Sequence, residues 1–137
     1  MKPAVIDASV AAKWFIPESD STKAMKYLNG RFRLLAPDLI HTELANVFWK
    51  LEKRGILNRD ETLGLVEDFL SLPLEIYDTR SILGPALEIA IATKRTVYDS
   101  LYLALAIEIN GIVVTADARW VNALKRSPFT EYMRLLV

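Results

Sequence analysis

The chain contains no cysteine, no glutamine and a single histidine, His41. Without cysteine there is neither a disulfide framework nor a thiolate metal site. One imidazole is too few for a His-rich zinc centre, and Ser–His–Asp catalysis is not expected. An excess of one charge is also lacking: Lys and Arg total 17, Asp and Glu total 17, and the net charge is +0. No global field draws the molecule onto nucleic acid, so any such binding needs a local basic patch. No apolar run reaches the ~20 residues of a membrane span. The longest, Leu101 to Ile107, is far shorter. The amino terminus meets Asp7 before a signal-peptide core could develop. The expected setting is therefore cytoplasmic, with no membrane role. The missing glutamine agrees with a thermophilic source, in which labile amides are depleted.

What is present is the composition of one folded domain. The chain has 137 residues, 52% of them hydrophobic and 25% charged, enough for a sizeable core and not disordered. No repeat, linker or low-complexity tract divides it. Short apolar runs at Ala4–Ile6, Arg33–Ala36, Leu74–Tyr77 and Ile112–Thr115 read as strands, and Tyr132–Leu136 as an edge strand. Helices are expected over Ser9–Phe15, Glu18–Leu28, Pro37 to about Arg54, Arg59–Leu70, Ile82–Ala92, Tyr98–Ile109 and Trp120–Leu124. Strands alternating with helices imply an α/β fold whose parallel sheet is covered on both faces. In such folds ligands sit beyond the carboxyl ends of the strands.

Four acids stand out against this frame: Asp7, Glu43, Asp99 and Asp117. Asp7 and Asp117 directly follow the first and fourth strands, at that ligand-binding rim. Each also has a structural reading as the N-cap of the helix behind it. Asp99 has a sharper one, since Thr96-Val97-Tyr98-Asp99 fits a capping box. Glu43 is harder to explain structurally. Leu39, Ile40 and Val47 flank it at helical spacing, which places it beside the buried stripe. A partly buried carboxylate needs a partner, and none is close in sequence. His41 lies two residues away, roughly on the opposite side of the helix, and carries no functional role. Taken together, four converging acids call for a neutralising cation. Oxygen-only ligands suit Mg²⁺ or Mn²⁺. Such a site activates water at a phosphate, the chemistry of nucleases and phosphatases.

The same residues carry a family resemblance. Val5-Ile6-Asp7-Ala8-Ser9, Glu43 in a long helix, Tyr98-Asp99-Ser100-Leu101-Tyr102-Leu103-Ala104-Leu105-Ala106 and Val113-Val114-Thr115-Ala116-Asp117 resemble a PIN-domain ribonuclease. More narrowly they resemble the VapC toxins of toxin–antitoxin pairs. The resemblance spans essentially the whole chain, and the Tyr98–Ala106 stretch is its most specific part. It implies a three-layer α/β/α sandwich with a mainly parallel sheet of four or five strands. It implies Mg²⁺- or Mn²⁺-dependent endonucleolytic cleavage of RNA. It also implies a small antitoxin that blocks the acidic pocket, and a homodimer or higher even-numbered oligomer. Asp7 and Asp99 would be direct metal ligands. Asp117 would complete the pocket, directly or through water, and Glu43 would hold a water on the metal or a second ion. Ser9 and Thr115 would support the ligands as second-layer hydroxyls. Many relatives carry another acid or Asn shortly after the fourth acid. Here Ala118-Arg119-Trp120 follows, which weakens the case for a second metal.

Lys13, Lys50, Lys53, Arg54, Lys94 and Arg95 are candidates for phosphate contacts, against the plainer reading of solvated helix faces. Trp14 and Trp49 could stack on bases, although core or oligomer packing is favoured for aromatics on amphipathic helices. Three other functions fit parts of the pattern. One is a housekeeping PIN nuclease in RNA processing, another a catalytically silent PIN-like binding module. The third, a response-regulator-like or phosphatase domain, lacks the lysine expected after a late strand.

Overall fold

The fold was obtained as a computed structural model describing residues 1–137. Five strands form one sheet: β1 (Lys2–Ile6), β2 (Phe32–Pro37), β3 (Glu75–Tyr77), β4 (Ile112–Thr115) and β5 (Met133–Leu135). Their order is β3-β2-β1-β4-β5, and every pairing is parallel. The three central strands are apolar runs without alternation. Val5, Ile6, Leu35, Val113 and Val114 are all fully buried, as strands covered on both faces require.

Seven helices connect them: α1 (Ala8–Ala11), α2 (Ser21–Met25), α3 (Leu39–Lys53), α4 (Arg59–Leu70), α5 (Leu83–Thr93), α6 (Val97–Glu108) and α7 (Ala118–Ala123). The chain runs β1 to β2 to β3 in one direction across the sheet, then returns to β4 and β5 on the other side. Right-handed crossovers therefore put α1–α4 on one face and α5–α7 on the other, giving three layers. α6 carries an unbroken buried run, Ser100 to Ala106, because α5 covers its outer side while the sheet covers its inner side. The reversal of direction falls between β1 and β4, and this is where a doubly wound sheet opens its crevice.

Local chemistry explains where the observed elements differ from expectation. The first helix is short, Ala8–Ala11, and tightens into a 3₁₀ turn over Ala12–Trp14. The second starts at Ser21 rather than Glu18, because the Ser21 hydroxyl accepts from the Glu18 amide and donates to the Ile16 carbonyl. Pro37 ends β2 rather than opening α3. Its missing N–H costs nothing there, since β1 pairs with β2 only as far as Leu35. α4 begins on a full capping box between Asn58 and Glu61. Gly111 has no substitute at the entry to β4, since a Cβ there would lie 2.8 Å from the Pro3 carbonyl oxygen.

Candidate active site

Asp7 stands at the carboxyl end of β1 and caps α1. Its Oδ1 accepts from the Val10 amide at 3.1 Å and the Ser9 hydroxyl at 2.6 Å, and its Oδ2 accepts from the Thr115 hydroxyl at 2.5 Å. Both hydroxyls are held by backbone of the β4–α7 turn. Ser9 Oγ accepts from the Ala116 amide, and Thr115 Oγ1 from the Asp117 amide. Each hydroxyl is thereby turned to donate its proton to Asp7. The pair locks the ends of β1 and β4 together and occupies three of the roughly four acceptor positions of the carboxylate. Asp117 caps α7, its Oδ1 accepting from the Arg119 and Trp120 amides. Its Oδ2 is left outside the cap.

Asp99 does not complete a capping box. The Thr96 hydroxyl accepts from the Asp99 amide, but the Asp99 carboxylate makes no return bond to the Thr96 amide. It turns instead to Arg95, whose Nη2 lies 2.9 Å from Asp99 Oδ2 and 3.5 Å from Asp117 Oδ2. Glu43 finds the partner that its neighbours in sequence do not supply: the Tyr102 hydroxyl donates to Glu43 Oε1 at 2.6 Å. Asp7, Glu43, Asp99 and Asp117 thus line one cleft of about 170 Å³, together with Ala8, Ser9, Tyr102 and Trp120. All four acids named from the sequence meet there.

The electrostatics follow from burial among like charges. Burial pushes the Asp7 carboxyl from 3.8 up to about 6; the Ser9, Thr115 and Val10 hydrogen bonds oppose this, and the Glu43 charge adds to it. Glu43 is raised by burial and by Asp99, against the pull of Tyr102. Asp99 is raised by burial and by Asp117, against the pull of Arg95. The Tyr102 hydroxyl is raised by burial and by Glu43, so it stays a donor.

In this conformation no three acid side chains are arranged to grip one ion by themselves. Arg95 holds two of them, and Tyr102 holds a third. The donor set nevertheless fits a hard divalent cation. All the acid donors are carboxylate oxygens, and Mg²⁺ takes one or two carboxylates while keeping several waters. The Arg95 guanidinium already stands between Asp99 and Asp117 in the way a cation would.

A family model described as PIN domain matches residues 4–125. The chain belongs to the PIN-domain family. Within it, this PIN domain groups with the VapC proteins. It is 34% identical over 115 residues to Ribonuclease VapC3 of Pyrobaculum aerophilum, covering 82% of this chain and 88% of that relative. The fold also matches solved structures at low identity. Mycobacterium tuberculosis VapC20, described as a sarcin-ricin loop cleaving toxin, superimposes with a TM-score of 0.67 at 13% identity, covering 88% of this chain and 94% of that one. DNA-bound VapBC from Salmonella typhimurium gives a TM-score of 0.67 at 18% identity, covering 100% of both chains.

Two of the basic residues considered for RNA binding are engaged within this PIN domain. Lys13 pairs with Glu18 and Asp20, with its side chain only 12% exposed, and Arg95 is bound in the acid cleft. Lys94 is exposed, as are Lys50, Lys53 and Arg54, which lie ~10–16 Å along α3 from Glu43 at the helical rise per residue. Trp14 is a packing residue whose indole N–H donates to the Ala24 carbonyl at 2.8 Å. Trp49 is 51% exposed beneath the Lys53 ammonium. The places of Tyr102, Trp120 and Arg95 in the cleft are absent from the sequence reading. Spacing carried one of the three signals: Tyr102 is at i+3 from Asp99 on α6, a position that shares its helix face.

Proposed function

We propose that this chain is a Mg²⁺- or Mn²⁺-dependent endoribonuclease, the toxin of a toxin–antitoxin pair. The observation that carries the reading is the convergence of all four acids, on oxygen donors alone, at the β1–β4 crevice of a VapC scaffold. Asp7 and Asp99 would hold the cation, with Asp117 beside them and Glu43 across the cleft. When bound, the cation supplies Lewis-acid polarisation of a phosphoryl oxygen and a more acidic water.

The protein's own residues do the rest. Ser9 and Thr115 fix the Asp7 rotamer, leaving about one acceptor position of its carboxylate open to the cleft. Glu43 has a raised pKa and a fixed orientation on Tyr102, which suits it to take the proton of the attacking water. Trp120 lines the cleft as a buried side chain. Water would form the new bond to phosphorus as the bond to one ribose oxygen breaks; Glu43 would take the proton that the water loses, and the departing ribose oxygen would take a proton from solvent.

The partner is a small antitoxin that reaches the cleft with a basic side chain. Asp99 and Asp117 already accept one guanidinium, so the cleft is able to take such a group. A second copy of the chain would cover the apolar stripe of α5, where Leu83, Leu87 and Ile91 are exposed at four-residue spacing, making a homodimer or a higher even-numbered oligomer. No helix is long and apolar enough to cross a membrane. The site of action is the cytoplasm, where RNA is found.

The test is cleavage of single-stranded RNA by the purified protein, alone and co-expressed with the antitoxin. The free protein should cut with Mg²⁺ or Mn²⁺ and stop in excess EDTA, and the complex should be inactive. Cleavage unaffected by chelator would defeat the metal-dependent reading. A complex that forms but cuts as fast as the free toxin would defeat the pocket-blocking one.

A further inference from the structure

Arg95 is the one basic side chain paired with any of the four cleft acids. It sits just after the left-handed residue Lys94 (φ 60°) that ends α5, so the turn between α5 and α6 delivers it to the cleft. Both contacts run through the single atom Nη2 to the Oδ2 atoms of Asp99 and Asp117. Two carboxylate oxygens from different elements therefore face one positive point. The grip is incomplete. Arg95 Nε is buried with no hydrogen-bond partner, so the side chain gives up hydration there without recovering it. A guanidinium normally meets carboxylates through a two-pronged fork, and this one does not.

We propose that Arg95 is a built-in counter-cation of the cleft, holding Asp99 and Asp117 in the metal-free protein and displaced from them when a divalent cation binds. This rests on the metal-dependent reading above and adds the control of that site. Four carboxylates in one cleft repel strongly, and one guanidinium relieves part of that repulsion at all times. A doubly charged hard cation attracts the same oxygens more strongly than a single delocalised charge does. The exchange also frees Nε from its unpaired burial. The consequence is a raised threshold: the protein binds metal less tightly than its acids alone would.

Two measurements on the full-length protein test this without reference to activity. In ¹⁵N NMR the Arg95 Nε–H signal should be protected from exchange without metal. Saturating Mg²⁺ should move it to the position of a free arginine in fast exchange. In calorimetry Arg95→Met, which keeps the apolar stem, should bind Mg²⁺ about tenfold more tightly than wild type. Arg95→Lys keeps one charge but cannot span both carboxylates, so it should fall between; it carries the affinity test if Arg95→Met does not fold without metal. A Nε–H signal unmoved at saturating Mg²⁺, or equal affinity in wild type and variants, overturns the proposal while leaving the nuclease reading intact. Failure of the wild-type protein to bind Mg²⁺ at all overturns both.

Discussion

Asp99→Asn should lower RNA cleavage on the order of 100-fold or more while leaving the melting temperature within a few degrees. The loss follows from the worth of a charged ligand to a hard cation, several kcal/mol, at 1.36 kcal/mol per factor of ten. The preserved stability follows from the local contacts. The Asp99 amide, not its side chain, bonds the Thr96 cap, and asparagine keeps that amide. The carboxylate is half-buried and raised in pKa by burial, so loss of its charge removes an unfavourable term along with the Arg95 ion pair. Activity assays and thermal melts on the same preparation check it. A variant that melts far lower, while its folded fraction cuts normally, would make Asp99 a structural residue only.

The second large effect is on stability. Asp7 is neutral more readily in the folded protein than in the unfolded chain, with a pKa of about 6 against 3.8. Its contribution is therefore fully present below pH 3.8 and lost as pH rises through about 6. That gap corresponds to roughly 3 kcal/mol. The raised Glu43 and Asp99 act in the same direction. The lowered pKa values of Asp20, Glu75 and Asp78 act in the opposite one, which sets the acid limit. Metal-free protein should thus be more stable near pH 5 than near pH 8. At pH 8, millimolar Mg²⁺ or Mn²⁺ should raise the melting temperature by several degrees, because the ion binds only the folded state. Asp7→Asn should raise the metal-free melting temperature at pH 8 and weaken the metal response. An amide keeps the bonds from Val10 and Ser9 at its oxygen, and the Thr115 hydroxyl can rotate to accept from its NH₂. Melts of both proteins at the two pH values, with and without metal, decide the matter. No metal response in wild type, together with a destabilised Asp7→Asn, would mean that the four acids do not act as one site.

Much of this was legible because the relevant signals are local. α3 and α4 follow the helical apolar period, Asn58 and Gly55 mark helix ends, and the central strands are continuous apolar runs, so their boundaries fall within a few residues of the sequence reading. Asp7 and Asp117 were legible as candidates for one cleft because strand ends in a doubly wound sheet are where ligands bind. What the sequence hid is long-range. The Tyr102–Glu43 bond joins α6 to α3 across 59 positions, and the Thr115–Asp7 bond joins β4 to β1 across 108. Periodicity carries no information about either. Arg95 was hidden for another reason: an arginine beside a lysine reads as solvated surface, and only the turn at Lys94 directs it inward. The start of α2 was placed too early because helix propensity does not register Ser21 bonding back across the Pro17 turn.

The central claim is that Asp7, Glu43, Asp99 and Asp117 form one cation site, and substoichiometric Mn²⁺ in an NMR titration tests it most directly. Paramagnetic broadening should strike the amides of Ala8, Ser9, Glu43, Asp99 and Asp117 first, and Asp99→Asn should abolish that selectivity. Broadening that instead begins at exposed acids such as Asp60, Glu67 and Asp68 on α4, with the cleft signals untouched, would contradict the account.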